Sequence, residues 1–170
     1  MASQTIAWDH HRTDRLILSH VGDSDTDDWH RIHADPRLWT HYPTGRHTAR
    51  EQTAELIQTS VAAWDGAGLG YWTVRDRLDG PVVGCGGCRP VAGQQRWNLY
   101  YRFDPSTHGK GYATELARVA VEAANAVAPH WPVTALMLET NPASWRVAEK
   151  IGLRRIWTCL LYTSPSPRDS

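Results

Sequence analysis

Two glycines one residue apart, set between a strand-like run and a helical run, narrow what this chain can build. The segment Ser106-Thr107-His108-Gly109-Lys110-Gly111-Tyr112-Ala113-Thr114-Glu115-Leu116-Ala117 follows Trp97–Phe103, which reads as a strand, and opens a strongly helical stretch. Without Cβ atoms, glycines let backbone N–H groups come close to an anion. The helix behind them adds the positive end of its dipole and N–H donors that have no intrahelical acceptor. Strand, glycine loop and helix in this order make a cradle for a pyrophosphate. The same glycines also suit an ordinary turn ahead of a helix, so the rest of the chain has to decide.

Two common phosphate loops are excluded. The ATP/GTP loop requires G-x-x-x-x-G-K-S/T; here Gly109-Lys110 is followed by Gly111, and Asp104 stands at the first glycine position. The dinucleotide pattern G-x-G-x-x-G starts at Gly109 but meets Thr114 at its end, and a start at Gly84 meets Arg89. What remains resembles the signature Gln/Arg-x-x-Gly-x-Gly/Ala of the GNAT superfamily, the acetyl-CoA-dependent N-acetyltransferases. His108 departs from it at the Gln/Arg place, while Gly111 and Ala113 fit. Downstream, Asn141–Leu153 resembles that family's N-x-x-S-x-x-x-x-E-K-x-G-F/L segment. Thr13-Asp14-Arg15-Leu16-Ile17-Leu18 resembles the T-x-R-L-x-L opening of the branch that acetylates ribosomal-protein N-termini. The three matches run in order from about residue 13 to 157.

Composition sets bounds. At 170 residues the chain is long enough for one domain with a full core. Acidic and basic residues balance to a formal charge of zero, so there is no electrostatic case for nucleic acid or membrane partners. No apolar run reaches transmembrane length, and no secretory pattern opens the chain. A cytoplasmic enzyme is expected. Lys110 and Lys150 are the two lysines among 18 basic residues, a bias that fits a GC-rich bacterial genome. Of the nine tryptophans, Trp29, Trp39, Trp64 and Trp72 fall in or beside the substrate half of such a fold. Large aromatics there serve as core or as pocket wall. Cys85-Gly86-Gly87-Cys88 has redox or zinc spacing, but no second pair completes a tetrahedral site. Residues three apart on a strand face opposite sides, so these read as buried thiols, and no metal is expected.

The periodicities predict a mixed α/β sandwich in the order β-α-α-β-β-β-α-β-α-β. Residues 1–12 read as a flexible arm. Arg15–Val21 is the first strand, and Asp23-Ser24-Asp25 supplies capping chemistry for a helix to about Ala34. Thr48 can cap a longer helix from Ala49 to about Asp65, ended at Gly66-Ala67-Gly68. Gly70–Arg75 and Val82–Arg89 flank the hairpin signal Asp79-Gly80. The fourth strand is Trp97–Phe103, followed by a helix from Tyr112 to about Val127. Val133–Leu138 is the fifth strand and Ser144–Ile151 the next helix. One domain is expected over residues 13–158.

Residues 159–170 change character. Pro165 and Pro167 forbid a central strand, and the strand pattern does not continue past Tyr162. This tail resembles the conceptual translation of a sequencing adapter. A non-native tail, with the last strand of the sheet missing, is therefore expected; a disordered native tail is the alternative.

The resemblance implies acetyl-CoA as donor and a primary amine, on a protein N-terminus or a small molecule, as acceptor. It implies an α/β fold of GNAT type: a mixed, mostly antiparallel sheet, helices on both faces, and fourth and fifth strands splayed apart. Pantetheine would pair with the backbone of Tyr101, Arg102 and Phe103. The pyrophosphate would sit on the amides of His108, Gly109, Lys110, Gly111, Tyr112, Ala113 and Thr114. Asn141 would hold the pantetheine amides, and Ser144 would donate to the leaving thiolate or else cap its own helix. The general base is less defined. Asn98 stands where family members often carry a glutamate, leaving Glu139 and His41 as candidates; Tyr100 and Tyr101 read as packing residues. A non-catalytic acyl-CoA-binding or sensing module is the competing expectation. An exposed sixth strand would also leave room for a homodimer.

Overall fold

The computed structural model describes residues 7–136, 141–155 and 160–162. Eight strands form one sheet in the order β1-β2-β3-β4-β5-β6-β8-β7. They are β1 (His10–Arg12), β2 (Ile17–His20), β3 (Tyr71–Arg75), β4 (Val82–Pro90), β5 (Trp97–Phe103), β6 (Val133–Leu136), β7 (Arg154–Arg155) and β8 (Leu160–Tyr162). The expected fourth and fifth strands are thus β5 and β6. Four α-helices accompany them: α1 (Thr26–His33), α2 (Arg50–Ala67), α3 (Tyr112–Val127) and α4 (Pro142–Lys150).

Every pairing is antiparallel except β5 with β6. A parallel pair needs a long crossover, and α3 provides it. The pairing is brief. Trp97 faces Val133 and Asn98 faces Thr134, and the described ladder ends there, although β5 runs on to Phe103. Beyond that point β5 and Leu136 of β6 are unpaired with each other in the described ladder and line a common cleft, the opening called the fork below.

The sheet separates two apolar layers. On one side, Leu116, Ala120 and Ala123 of α3 and Trp145 of α4 pack against Trp72, Leu99 and Phe103. These helical positions recur at three- and four-residue spacing, the stripe of a one-sided helix. On the other side, Trp29 of α1 and Ile57 of α2 cover Tyr71 and Cys85. Cys88 lies in the first layer and Cys85 in the second, as their odd spacing on β4 requires. Burial drives the Cys85 thiol up to about 12 and raises that of Cys88 as well.

Three features differ from expectation. The stretch expected as an arm carries β1, which pairs with β2, and Trp8, whose carbonyl accepts from the Trp72 indole N–H at 2.6 Å. Trp8 is buried and anchors the end of this stretch to the sheet. At the other end, β7 and β8 are both present, and β8 pairs with β6 inside the residues set apart as a tail. The edge of β6 offers unpaired backbone groups that a short strand satisfies. Lastly, the side-chain amide oxygen of Gln52, Oε1, accepts the Thr48 and Ala49 N–H groups at 2.7 and 3.1 Å. That residue, rather than the Thr48 side chain, caps α2.

Candidate active site

The site lies where the fork opens. Asp104 N–H donates back to Val83 on β4 at 2.8 Å, and Trp97 N–H donates toward β6, to Pro132, at 2.9 Å. A strand alternates the direction of its backbone groups every residue. The N–H groups of Tyr101 and Phe103 therefore point, like Trp97, away from β4 and into the fork. No described residue pairs with them there.

At the end of β5 the chain makes one 3-10 turn, Pro105–Thr107, and enters the glycine loop. The His108 ring secures the entry, its Nε2 3.1 Å from the Phe103 carbonyl. Gly109 and Gly111 have φ of 85° and 80°, a left-handed region that costs other residues about 1–2 kcal/mol. Those turns aim the amides outward. The N–H groups of Gly109, Gly111, Tyr112, Ala113 and Thr114 have no acceptor among the described residues. Two expected cradle amides do have one: His108 N–H donates to Pro105 and Lys110 N–H to Thr107, at 3.2 and 3.3 Å. A 3-10 turn uses amides that the sequence motif counts as free. A Cβ built on Gly109 would meet nothing within 4 Å among the described residues outside its chain neighbours. This concave row of N–H groups at a helix start suits a diphosphate.

The loop is braced from far away in the chain. Arg15 donates from Nη1 to the Lys110 carbonyl at 2.6 Å and from Nε to Glu115 at 2.7 Å. Thr13 Oγ1 and the Arg15 N–H donate to the other Glu115 oxygen. Partial burial pushes the Glu115 carboxyl up, but the hydrogen bonds outweigh it and hold the group below its usual range. Tyr112 lies under the Arg15 guanidinium, 5.0 Å from its ring centre.

A cleft of about 150 Å³ occupies the fork and brings together Tyr101, Arg102, Asn141 and Ser144. It also takes in Trp39 and His41 from the connection after α1, and Tyr100. Alternation along β5 splits these into two walls. Leu99 and Tyr101 face the α3/α4 layer with Ser144; Tyr100 and Arg102 face the α1/α2 layer with Trp39. The cleft is therefore bordered by residues from both layers of the fold.

On the first wall, the Asn141 side chain accepts the Ser144 N–H at 3.4 Å and caps α4. The capping role considered for Ser144 thus belongs to Asn141. The Tyr101 hydroxyl donates to the Ser144 carbonyl at 3.1 Å, and burial raises its pKa. The Ser144 hydroxyl has no acceptor among the described residues and lines the cleft.

The second wall has a determined proton arrangement. His33 Nδ1 lies 2.7 Å from the Trp29 carbonyl, which only accepts, so Nδ1 carries the hydrogen. Burial pushes His33 down to about 3, chiefly by desolvation, so the ring is neutral and Nε2 is an acceptor. The Tyr100 hydroxyl, 2.8 Å away, must donate to it. Tyr100 in turn accepts from Arg102 Nε at 3.0 Å. Burial drives the Tyr100 hydroxyl up to about 12, so it holds its proton. Sequence reasoning missed this His33–Tyr100–Arg102 chain, whose members are 67 and 2 residues apart.

Of the base candidates, His41 borders the cleft, and Glu139 lies outside the described residues. Asn98 donates to the Tyr71 hydroxyl at 2.8 Å and serves packing. Of the tryptophans considered for the pocket, Trp39 lines it, while Trp29 and Trp72 are fully buried core. Among the described residues no group of three His, Cys, Asp or Glu could hold a metal ion, and no helix is long and apolar enough to cross a membrane.

Comparison with known proteins agrees with this geometry. The family model described as Acetyltransferase (GNAT) domain matches residues 15–154. The uncharacterized protein YkkB of Bacillus subtilis (strain 168) is 30% identical over 156 residues, covering 90% of each chain. The structure is similar to a spermidine N-acetyltransferase from Vibrio cholerae solved with CoA and spermine. That likeness has a TM-score of 0.71 and 15% identity over 93% of this chain and 100% of that one. It is also similar to a proposed ribosomal-protein-serine acetyltransferase from Vibrio cholerae, with a TM-score of 0.68 and 14% identity over 92% and 97%. At such identities the likeness is one of fold.

Proposed function

Since the chain belongs to the GNAT acetyltransferase family, we propose that it moves an acetyl group from acetyl-CoA to a primary amine by direct attack. One observation carries this reading. The amides of Gly109 and Gly111–Thr114, free of acceptors among the described residues, lie on the same fork as the outward N–H groups of Tyr101 and Phe103. A diphosphate on the loop and an extended amide chain along β5 would be held by the backbone alone.

Acetyl-CoA brings an acetyl group activated as a thioester. The protein's part is positioning, polarisation and proton placement. A β5 N–H directed into the fork can stabilise a developing oxyanion, worth on the order of 3 kcal/mol. The Ser144 hydroxyl, free to donate, is placed on the wall where the leaving sulfur would lie. The acceptor amine approaches from the Trp39 and Arg102 side and must be neutral. For an α-amine with a reference pKa near about 8, losing the proton at pH 7 costs only about 1–2 kcal/mol. Water leading to solvent past the exposed His41 suffices for that. Holding the two reactants in line supplies the entropic part.

A second reading, a CoA-binding module without turnover, is favoured by one feature: no described residue lining the cleft is a carboxylate. Thiol release from acetyl-CoA against a panel of peptides, amino acids, polyamines and aminoglycosides tests both. CoA release with at least one amine is the expected result. Donor binding without release against any amine would establish the second reading.

A further inference from the structure

Building on the acetyltransferase reading of the cleft, we propose that the acceptor is an amine that also carries a carboxylate, held by the Arg102 guanidinium. Arg102 is fixed on three sides. Its Nη1 donates to the Leu38 carbonyl at 2.7 Å, its Nε donates to Tyr100, and its central carbon lies 3.6 Å from the centre of the Trp39 ring. All three partners are neutral. Nη2 has no acceptor, and no carboxylate pairs with Arg102, among the described residues.

Arg102 is half-buried and has no counter-charge among the described residues, and its hydrogen-bond partners are uncharged. The hydrogen-bond chain from the Trp29 carbonyl through His33 to Tyr100 ends on Arg102 and leaves neither ring ionised near neutral pH. The Trp39 indole N–H, buried in the same wall, is another donor without an acceptor among the described residues. This side of the cleft therefore has an excess of donors and positive charge. A planar, preorganised guanidinium end matches a carboxylate. A polyamine would meet a like charge and no described acid.

The test uses the full chain and acetyl-CoA, with CoA release as readout. Calorimetry with CoA first establishes donor binding. α-Amino acids are then compared with their own carboxamides and with spermidine. The carboxylate of an amino acid raises the pKa of its amine, so the reactive neutral form is scarcer in the acid than in the amide. A preference for the acid therefore reports recognition and not reactivity. The expected result is a kcat/KM at least tenfold higher for acids than for carboxamides. In Arg102→Gln that ratio should fall to one or below, as amine reactivity alone dictates, and Arg102→Lys should recover part of it. Carboxamides or spermidine turned over as well as the acids would overturn the proposal while leaving the acetyltransferase reading intact. CoA binding with no release against any amine would overturn both. Should the variants fail to fold, the ratio measured on the unaltered chain still decides.

Discussion

Arg15 and Glu115, one hundred positions apart, meet as an ion pair at 2.7 Å across the base of the glycine loop. Two of the sequence motifs, T-x-R-L-x-L and the loop signature with its following Glu, are thereby parts of one device. Arg15 holds both the first turn of α3, through Glu115, and the loop itself, through the Lys110 carbonyl. Arg15→Ala should weaken CoA binding about tenfold by loosening the loop. Half-exposed ion pairs contribute little to stability, so the unfolding free energy should drop by only about 1 kcal/mol. Calorimetry beside urea unfolding checks both; unaltered affinity would mean the brace is irrelevant to the donor.

Gly111→Val should abolish detectable CoA binding. Among the described residues outside its chain neighbours, a Cβ there would approach only Arg15 Nη2, at 3.4 Å. The loss would come from the φ of 80° and from bulk placed where a diphosphate must touch the amide. Calorimetric affinity equal to the parent would contradict the cradle.

Ser144→Ala should lower kcat about tenfold and change donor affinity less than threefold. The α4 cap uses the Ser144 backbone N–H with Asn141, which the substitution retains. Equal turnover would remove the hydroxyl from the chemistry. Asn141→Ala, by contrast, should destabilise the protein by about 1 kcal/mol through loss of the cap.

Stability should fall with acid in a way that His33 controls. Its folded pKa of about 3 lies below the ordinary value of 6.5. Above pH 6.5 the ring is neutral in both states and carries no penalty. As pH falls from 6.5 toward 3, the unfolded chain binds a proton that the folded one refuses. At pH 5 this costs about 2 kcal/mol, and His47, also lowered by burial, adds to it. Urea unfolding at pH 7.5 and 5 should show the loss, and His33→Gln should reduce it. An equal loss in that variant would assign the acid sensitivity elsewhere.

The loop and its helix were legible because their signals are local. Gly109 and Gly111 announce left-handed turns, and the apolar stripe from Leu116 to Ala123 announces a one-sided helix. The short 3-10 turn before the loop was not legible, and it takes the His108 and Lys110 amides out of the cradle. Its bonds span three residues and leave no periodicity. Trp8 and β1 were missed because a polar N-terminal stretch gives no sign that one indole N–H will reach back to it. The strand at Leu160–Tyr162 depends on the vacant edge of β6, a partner that local pattern cannot reveal.

Sequence alone determined the family and the order of the central elements, since the family's three motifs and the apolar periodicities are each local patterns that stand in order along the chain. Tertiary structure alone decided the cleft wall opposite Ser144. Arg102, Tyr100, His33 and Trp39 come from β5, α1 and the following connection, and nothing in their spacing links them. They become one wall only because alternation on β5 turns residues 100 and 102 toward α1. Burial there keeps the protons on Tyr100 and His33 Nδ1, and the Arg102 charge meets no carboxylate among the described residues.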